Sequence, residues 1–436
     1  MTTALHISTQ PPGRLHIALL SVHTSPLIQP GQGDAGGMNV YVRQLADALV
    51  KLGHRVDLVT LWRRAEHPHE TAPQSLWTWS ELGNHLHLLE ITLPQTVDAT
   101  KNELPEHLGL IANTVQAAYR DIGQETPDVV HGHYWLSAVV ALMLAQDWDV
   151  PAVATFHTTA LAKNQRAGVD EAPEPQLRAD AERTVLQEAA GIVVNTDTEA
   201  RALIELYGAA PETVKVIAPG VDTTVFHPAP EPGEPGVAPS PAPEEQSFTI
   251  GFAGRLQALK GPHILISAVH ALRQDRPELA PQVWIAGVGP QQFTADLESS
   301  IRDGHLEDVV KLVGSISVGE LAQRFRNSDV VAAPSSSETF GLVALEAQAC
   351  GTPVVATDVD GLRHAVVDGE TGWLVPERSA AAWAKTLAEV AADPEERERR
   401  GKAAAGRAQR FSWSANARAH VQLYADLRAR HPRVEG

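Results

Sequence analysis

The sequence predicts an α/β protein built from two doubly wound parallel-sheet domains facing each other across a deep cleft. Three observations carry this. The 436 residues suffice for two or three domains with their own cores. Short β-type runs alternate with helical patterns: IALLSV, RVDLVTL, DVVHGH, PAVATFH, GIVVNT and VKVIAPG early in the chain, then FTIGFAG, VWIAGVG, VKLVG, VVAAPS, PVVATD and WLVP. Between these sets lies HPAPEPGEPGVAPSPAPEEQ, a Pro-, Ala-, Glu- and Gly-rich stretch with almost nothing to bury, which predicts an exposed, partly polyproline-like linker. The expected division is residues 1–226, a linker at 227–246, a second domain at 247–410, and a terminal helix at 411–436. In that helix Trp413, Val421, Tyr424 and Leu427 are the packing residues, and it is expected to cross back to the first domain.

Composition narrows the function. A formal net charge of −18, from 53 acidic against 35 basic residues, argues against a nucleic-acid partner, whose phosphates favour a basic footprint. Any anionic ligand must therefore be held by a local reversal of charge. The single cysteine, Cys350, lies in the apolar run EAQACGTPVVA, which predicts a packing residue and a reducing compartment. The first residues show neither a basic start nor a long apolar core, and the most apolar run, WLSAVVALMLAQDW (135–148), is too short to span a bilayer. A cytoplasmic protein with no membrane partner is the expectation.

Three stretches carry candidate chemistry. In QPGQGDAGGMNVYVRQLADAL (29–49), a glycine loop follows the apolar run LHIALLSVHTSP. It precedes Val42, Leu45, Leu49 and Leu52 at helical spacing, with Gly53 as the stop. Strand, glycine loop and helix together let backbone N–H groups approach an anion; the pattern is not G-x-G-x-x-G, so no dinucleotide is implied. In FAGRLQALKGPHILISAV (252–269), Arg255 and Lys260 flank a loop with Gly254 and Gly261, a planar fork and a point charge suited to a pyrophosphate. In APSSSETFGLVALEAQACGTPVVATD (333–358), a helix starting near Phe340 or Gly341 would leave Glu338 in the preceding loop and put Glu346 on its first turns. One carboxylate would then face the cleft while the other accepts from a ribose-like diol. Taken singly, each has an ordinary structural explanation: a turn, two surface cations, a helix-dipole acid. Asp358-Val359-Asp360 spells a metal motif of another fold, and His131-Gly132-His133 could suggest a metal pair. The first follows a second-domain strand and the second ends a buried one, so neither is taken as a metal site.

In this order, FAGR…K-G and SSSETFGLVALEAQACGTPVVA resemble the retaining nucleotide-sugar glycosyltransferases of family 4, with their GT-B fold and E-x7-E pair. SVHTSPLIQPGQGDAGGMNVYVRQLA, HGHYWLSA, FHTTALAKN and APGVD are similar to one branch, the D-inositol-3-phosphate glycosyltransferases that begin mycothiol synthesis. The resemblance implies transfer of N-acetylglucosamine from UDP-N-acetylglucosamine to 1D-myo-inositol 3-phosphate, with no organic cofactor. It implies that Asp34, Ala35, Gly36, Gly37, Met38 and Asn39 cradle the acceptor, Gly37 also nearing the donor, and that His23 contacts inositol. Lys101, Tyr134, Thr158 and Arg178 would complete the phosphate shell. Gln29, Pro30 and Ile316 fall on the uridine side. Arg255 and Lys260 would neutralise departing UDP, Glu346 bind ribose, and Glu338 and His157 meet the sugar. The branch also implies a homodimer and a non-catalytic Mg²⁺ held largely by backbone carbonyls at Phe325, Arg326, Ser328 and Thr352. Two departures stand out: Asp360-Gly361 where the family usually has two glycines, and the long proline-rich linker. Other family 4 transferases, of sucrose-phosphate or phosphatidylinositol mannoside type, and a UDP-sugar epimerase are the alternatives.

Overall fold

The computed structural model describes residues 13–29, 35–166, 173–229 and 248–431. Pro30 and Asp34, and nearly all of the expected linker, lie outside them. Among the described residues the first sheet has eight strands: β1 (His16–Ser21), β2 (Arg55–Leu61), β3 (Trp77–Gly83), β4 (Leu86–Ile91), β5 (Val129–His133), β6 (Ala152–Thr155), β7 (Gly191–Val194) and β8 (Val214–Val216). Their spatial order is β3-β4-β2-β1-β5-β6-β7-β8. The second sheet comprises β9 (Phe248–Ala253), β10 (Pro281–Ala286), β11 (Val310–Gly314), β12 (Val330–Ala333), β13 (Val354–Thr357) and β14 (Gly372–Val375), in the order β11-β10-β9-β12-β13-β14. All twelve β-type runs of the sequence are strands.

The exception to parallel pairing is β3, which runs antiparallel to β4 through the short turn Asn84-His85. The sequence reading passed over this hairpin, because WTWSELGNHLHLLE carries charged and polar residues at most exposed positions and no continuous apolar run. Its available signal was the Gly83-Asn84 turn between alternating tryptophans and leucines, a pattern that marks hairpins.

Parallel sheets require cover on both faces, since crossover helices lie above and below them. Two apolar clusters serve each sheet. In the first domain, one face is covered by helices Gly37–Lys51 and Trp413–Arg430, which pack Val42, Leu45 and Leu49 together with Trp413, Val421, Tyr424 and Leu427 over Ile17, Leu19 and Val153. The terminal helix thus returns to the first sheet. Gly191 gives it room: a Cβ there would stand 3.1 Å from Leu427 Cδ1. The chain also crosses between domains where Val221 N donates to Phe411 O (3.0 Å), and a Cβ on Gly220 would meet Trp413 N at 2.2 Å. Cys350 is a buried thiol in the second core, as its apolar surroundings predicted. No helix of the described residues is long and apolar enough to cross a membrane.

Leu427 is 4% exposed against strands β6 and β7. Leu427→Ala should therefore cost about 2–5 kcal/mol, as truncations of buried leucines do. Urea denaturation followed by tryptophan fluorescence, with hydrogen exchange resolving the first domain, checks this.

Candidate active site

In open parallel sheets, ligands bind beyond the strand C-termini where the strand order reverses. The first sheet reverses between β1 and β5, the second between β9 and β12. The chain places His23 just after β1, Tyr134 after β5 and His157 after β6; opposite them stand Arg255 after β9, Ile316 after β11 and Glu338 after β12. The two reversal points face each other across a cleft of about 570 Å³. Its walls contain every described candidate donor and acceptor residue except Ala35, which is buried at the loop's base.

On the first-domain side, the helix begins at Gly37 with Gly36 as its cap. Asn39 fixes the loop: its Oδ1 accepts from Gly36 N (2.9 Å), and its Nδ2 donates to Thr24 Oγ1 (2.9 Å) and Ser25 O (2.7 Å). The Asn39 side chain is thereby spent on shaping the turn. That leaves the first-turn backbone N–H groups, which have no carbonyl of their own helix to reach, as the anion-facing part.

His23 lies at the centre of a cationic pocket. Its ring is 4.3 Å from that of Tyr134, and its Nδ1 is buried without a hydrogen-bond partner among the described residues. Burial, and then Arg63, Lys101, His157 and Arg178, push its pKa down to about 3. The imidazole is thus neutral and surrounded by positive charge. Lys101 is exposed at the cleft. Arg178 is buried and reaches Thr158 O (2.6 Å) and Thr158 Oγ1 (3.1 Å), with its guanidinium carbon 4.8 Å from the Tyr134 ring centroid. Two carboxylates hold it, Glu182 at Nε and Glu174 at Nη1, both at 2.8 Å. Burial opposes its charge, but Tyr134, Glu182 and Glu174 outweigh that and raise its pKa. Arg63 escaped the sequence reading, sitting in LWRR at the end of β2 with no motif around it. It donates to His23 O (2.6 Å) and to Ala99 O, tying the strand end to the loop that carries Lys101.

On the second-domain side, Lys260 and Glu338 form an ion pair, and Ser335 Oγ donates to Glu338 Oε1 (3.2 Å). Gly261 takes φ +78° at the start of helix Pro262–Asp275, and a Cβ there would lie 2.2 Å from Pro334 O, so the two ligand loops interlock only with glycine. Gly361 meets the same constraint: a Cβ would stand 2.3 Å from Thr339 C, and its N–H donates to Glu338 O (3.0 Å). The glycine that the Glu338 loop needs is therefore present at 361, despite Asp360 before it. Helix Leu342–Ala349 starts after Gly341, leaving Glu338 in the loop and Glu346 on the helix, as expected. Burial without a counter-charge pushes the Glu346 carboxyl up to about 8.

The two sides touch. A Cβ on Gly36 would lie 3.6 Å from Arg255 Nε, and one on Gly37 would lie 3.6 Å from Leu342 Cδ1. Gln29 donates to Ser315 Oγ and Ile316 O, both at 3.1 Å, joining two residues assigned to the uridine side. Thr339 Oγ1 donates to His157 O (2.7 Å).

Phe325, Arg326, Ser328 and Thr352 meet at the end of helix Val318–Arg326, outside the cleft walls. Phe325 O already accepts from Thr352 Oγ1 (2.6 Å) and Ser328 N (3.0 Å), and no carboxylate joins the set. A cation there would have to displace both bonds, so the group as it stands does not form a cation cradle and no chemical step is assigned to it. Among the described residues no cluster of three or more His, Cys, Asp and Glu could hold a metal. His131 and His133 stack on each other at 4.2 Å, and Asp358 pairs with Arg363.

Two facing doubly wound sheets with a cationic cleft define a glycosyltransferase of the GT-B fold. Residues 35–225 match the family Glycosyltransferase Family 4, and residues 238–407 match Glycosyl transferases group 1. The chain is 40% identical over 420 residues to a D-inositol 3-phosphate glycosyltransferase of Pseudarthrobacter chlorophenolicus, covering 95% of this chain and 96% of the relative. It is 43% identical over 414 residues to the protein of the same name from Arthrobacter sp. (strain FB24), covering 94% of each. Sucrose-phosphate synthase of Thermosynechococcus elongatus superposes with a TM-score of 0.81 at 29% identity, over 96% of this chain and 100% of the other. HepE of Anabaena, solved with UDP and glucose, shares the fold with a TM-score of 0.70 at 21% identity, over 93% and 98%. The chain belongs to the D-inositol 3-phosphate glycosyltransferases of family 4.

The Glu346 carboxyl gives a test that needs no ligand. Folded, it keeps its proton to about pH 8, whereas the unfolded chain loses it near 4.5. Its contribution to stability is therefore complete below the lower value and is lost as pH rises through the window. Glu346→Gln should flatten that slope, so its gain in thermal midpoint over the parent should be larger at about pH 9 than at about pH 5. An equal gain at both would place the shift elsewhere.

Proposed function

We propose that the protein transfers N-acetylglucosamine from UDP-N-acetylglucosamine to 1D-myo-inositol 3-phosphate with retention at the anomeric carbon, releasing UDP as the first step of mycothiol biosynthesis. The observation that carries this reading is the set of cations around neutral His23. Arg63, Lys101 and Arg178 converge there, in a chain of net charge −18, beside the open backbone of the glycine loop. A phosphate fits such a pocket, and Arg255 and Lys260 form a second one across the cleft. Two phosphate-bearing molecules thus meet between the domains. The names of the relatives, and the UDP–glucose complex of a protein sharing the fold, agree with an inositol phosphate acceptor and a nucleotide-sugar donor.

The roles follow from charge and geometry. Asn39 holds the Gly36–Gly37 backbone so that its N–H groups and Lys101 take the acceptor phosphate, while Arg178 and Tyr134 wall the pocket. Glu346 accepts from the ribose hydroxyls, giving up its proton to do so, and Gln29 with Ile316 borders the base. As the bond from the anomeric carbon to the diphosphate lengthens, negative charge grows on the phosphate beside Arg255, which has no carboxylate partner among the described residues. It is therefore available to the transition state. Lys260, paired with Glu338 beforehand, is aligned at no further cost in ordering. Nothing in the cleft is placed as a nucleophile with a second carboxyl at the spacing of a retaining glycosidase. The inositol hydroxyl accordingly attacks the face that UDP leaves, and the departing phosphate oxygen accepts its proton. The protein contributes positioning and charge.

Incubation with UDP-N-acetylglucosamine, with and without inositol 3-phosphate, tests this directly: UDP release should require the acceptor, and the product should be α-linked. Acceptor-independent release or a β-linked product would contradict it. Sucrose-phosphate chemistry, raised by the 29%-identical structure, would show instead as turnover with UDP-glucose and fructose 6-phosphate. Lys101→Ala should raise the acceptor KM by roughly tenfold or more with little change in donor KM, since a charged hydrogen bond is worth about 1.5–3 kcal/mol. Arg255→Ala should instead lower kcat by about 10²–10³, the usual loss when one stabiliser of developing charge is removed.

A further inference from the structure

We propose that His133 is a positioning residue for the transfer: its Nδ1–H donates to Nε2 of His157 and holds that imidazole in the tautomer that offers Nδ1–H to the donor sugar. The proposal deepens the reaction above and rests on the role given there to His157.

His133 is the last residue of β5 and pairs in register with Thr155 of β6, two residues before His157. It is fully buried, and its Nδ1 lies 3.1 Å from His157 Nε2 with the rings 31° apart. Burial lowers the pKa of both, His133 far below the usual histidine range and His157 to about 3. With both imidazoles neutral, one of the facing nitrogens carries the shared proton.

The far side of His133 decides which. Its Nε2 is buried and has no hydrogen-bond partner among the described residues. Were His133 the acceptor at Nδ1, its proton would sit on Nε2, as a buried N–H with nothing to donate to. As the donor through Nδ1–H, it leaves only a bare lone pair there. Orphaned buried N–H groups are the rarer of the two in folded proteins, so His133 is the donor. His157 then accepts at Nε2 and, being neutral, carries its proton on Nδ1. Because Nε2 is engaged inward, Nδ1 is the nitrogen left for a ligand in the cleft that His157 lines.

The surrounding groups fix His133 in this orientation. Its ring stacks at 4.2 Å on His131, which is held at both nitrogens: Nδ1 to Tyr424 Oη (2.6 Å) on the terminal helix, and Nε2 to Thr155 Oγ1 (2.9 Å). Tyr41 stands 5.8 Å from the His133 ring and packs its edge against His157 at 5.1 Å. The His157 backbone, at φ +60°, is pinned from the other domain by Thr339. With ring and backbone held, the tautomer is the property left for His133 to set.

Nitrogen-15 NMR of the ligand-free, histidine-labelled protein, with His157 assigned by comparison with His157→Gln, reads the tautomer directly. The proposal expects a protonated Nδ1 and a bare Nε2 at neutral pH; a protonated Nε2 overturns it. This holds even if no transfer to inositol phosphate is found, so the two readings fail separately. In kinetics, His133→Phe keeps the ring volume and the stack but removes the donor. It should lower kcat roughly tenfold, the scale of one hydrogen bond, with both KM values changed less than about threefold. His133→Asn, which restores a short N–H donor, should recover most of the loss. A His133→Phe protein with unchanged kcat, or an Asn variant as slow as the Phe one, also overturns it.

Discussion

The contact on which the site depends is the approach of Gly36 and Gly37 to Arg255 and Leu342. Backbone from the first domain comes within a side chain's width of the second because residues 36 and 37 carry no Cβ. Any larger residue would push the two reversal points apart and widen the gap between the acceptor phosphate and the diphosphate. The surrounding features serve this proximity. Asn39 spends its amide on shaping the turn, Gly261 and Gly361 let the loops of the second domain interlock, and the terminal helix returns to brace the helix that begins at Gly37.

Electrostatics works against the overall charge of the chain. The molecule is acidic, yet its cleft gathers Lys101, Arg178, Arg255 and Lys260, with Arg63 behind them. Two of these are balanced in advance, Arg178 by Glu174 and Glu182 and Lys260 by Glu338, which holds their geometry before a ligand arrives. Lys101 and Arg255 carry their charge into the cleft, one on each side. The histidines nearby are kept neutral by burial, so they contribute directed hydrogen bonds rather than charge.

Much of this was legible in the sequence. The twelve β-type runs, the glycine loop opening a helix, the terminal helix with Trp413, Val421, Tyr424 and Leu427 on its packed face, and the Glu338–Glu346 spacing all declared themselves through local periodicity. What was not legible depends on contacts between distant segments. Arg63 gains its place from bonds to His23 and Ala99, the pairing of Lys260 with Glu338 spans 78 positions, and the stack from Tyr424 through His131 to His133 joins three elements. The β3–β4 hairpin was missed for a different reason: an edge strand exposed on one side has no apolar run to betray it. The donor and acceptor assignments came from resemblance, and the geometry supplies the physical reason such residues would serve them.

The central claim is that two phosphates are brought together across this gap. A crystal structure with UDP and inositol 3-phosphate bound together measures it most directly. The account expects the diphosphate against Arg255 and Lys260, and the inositol phosphate against Lys101 and the backbone of residues 36–38, with the sugar's site between them. An inositol phosphate seated elsewhere, or a diphosphate that leaves Arg255 untouched, would contradict it.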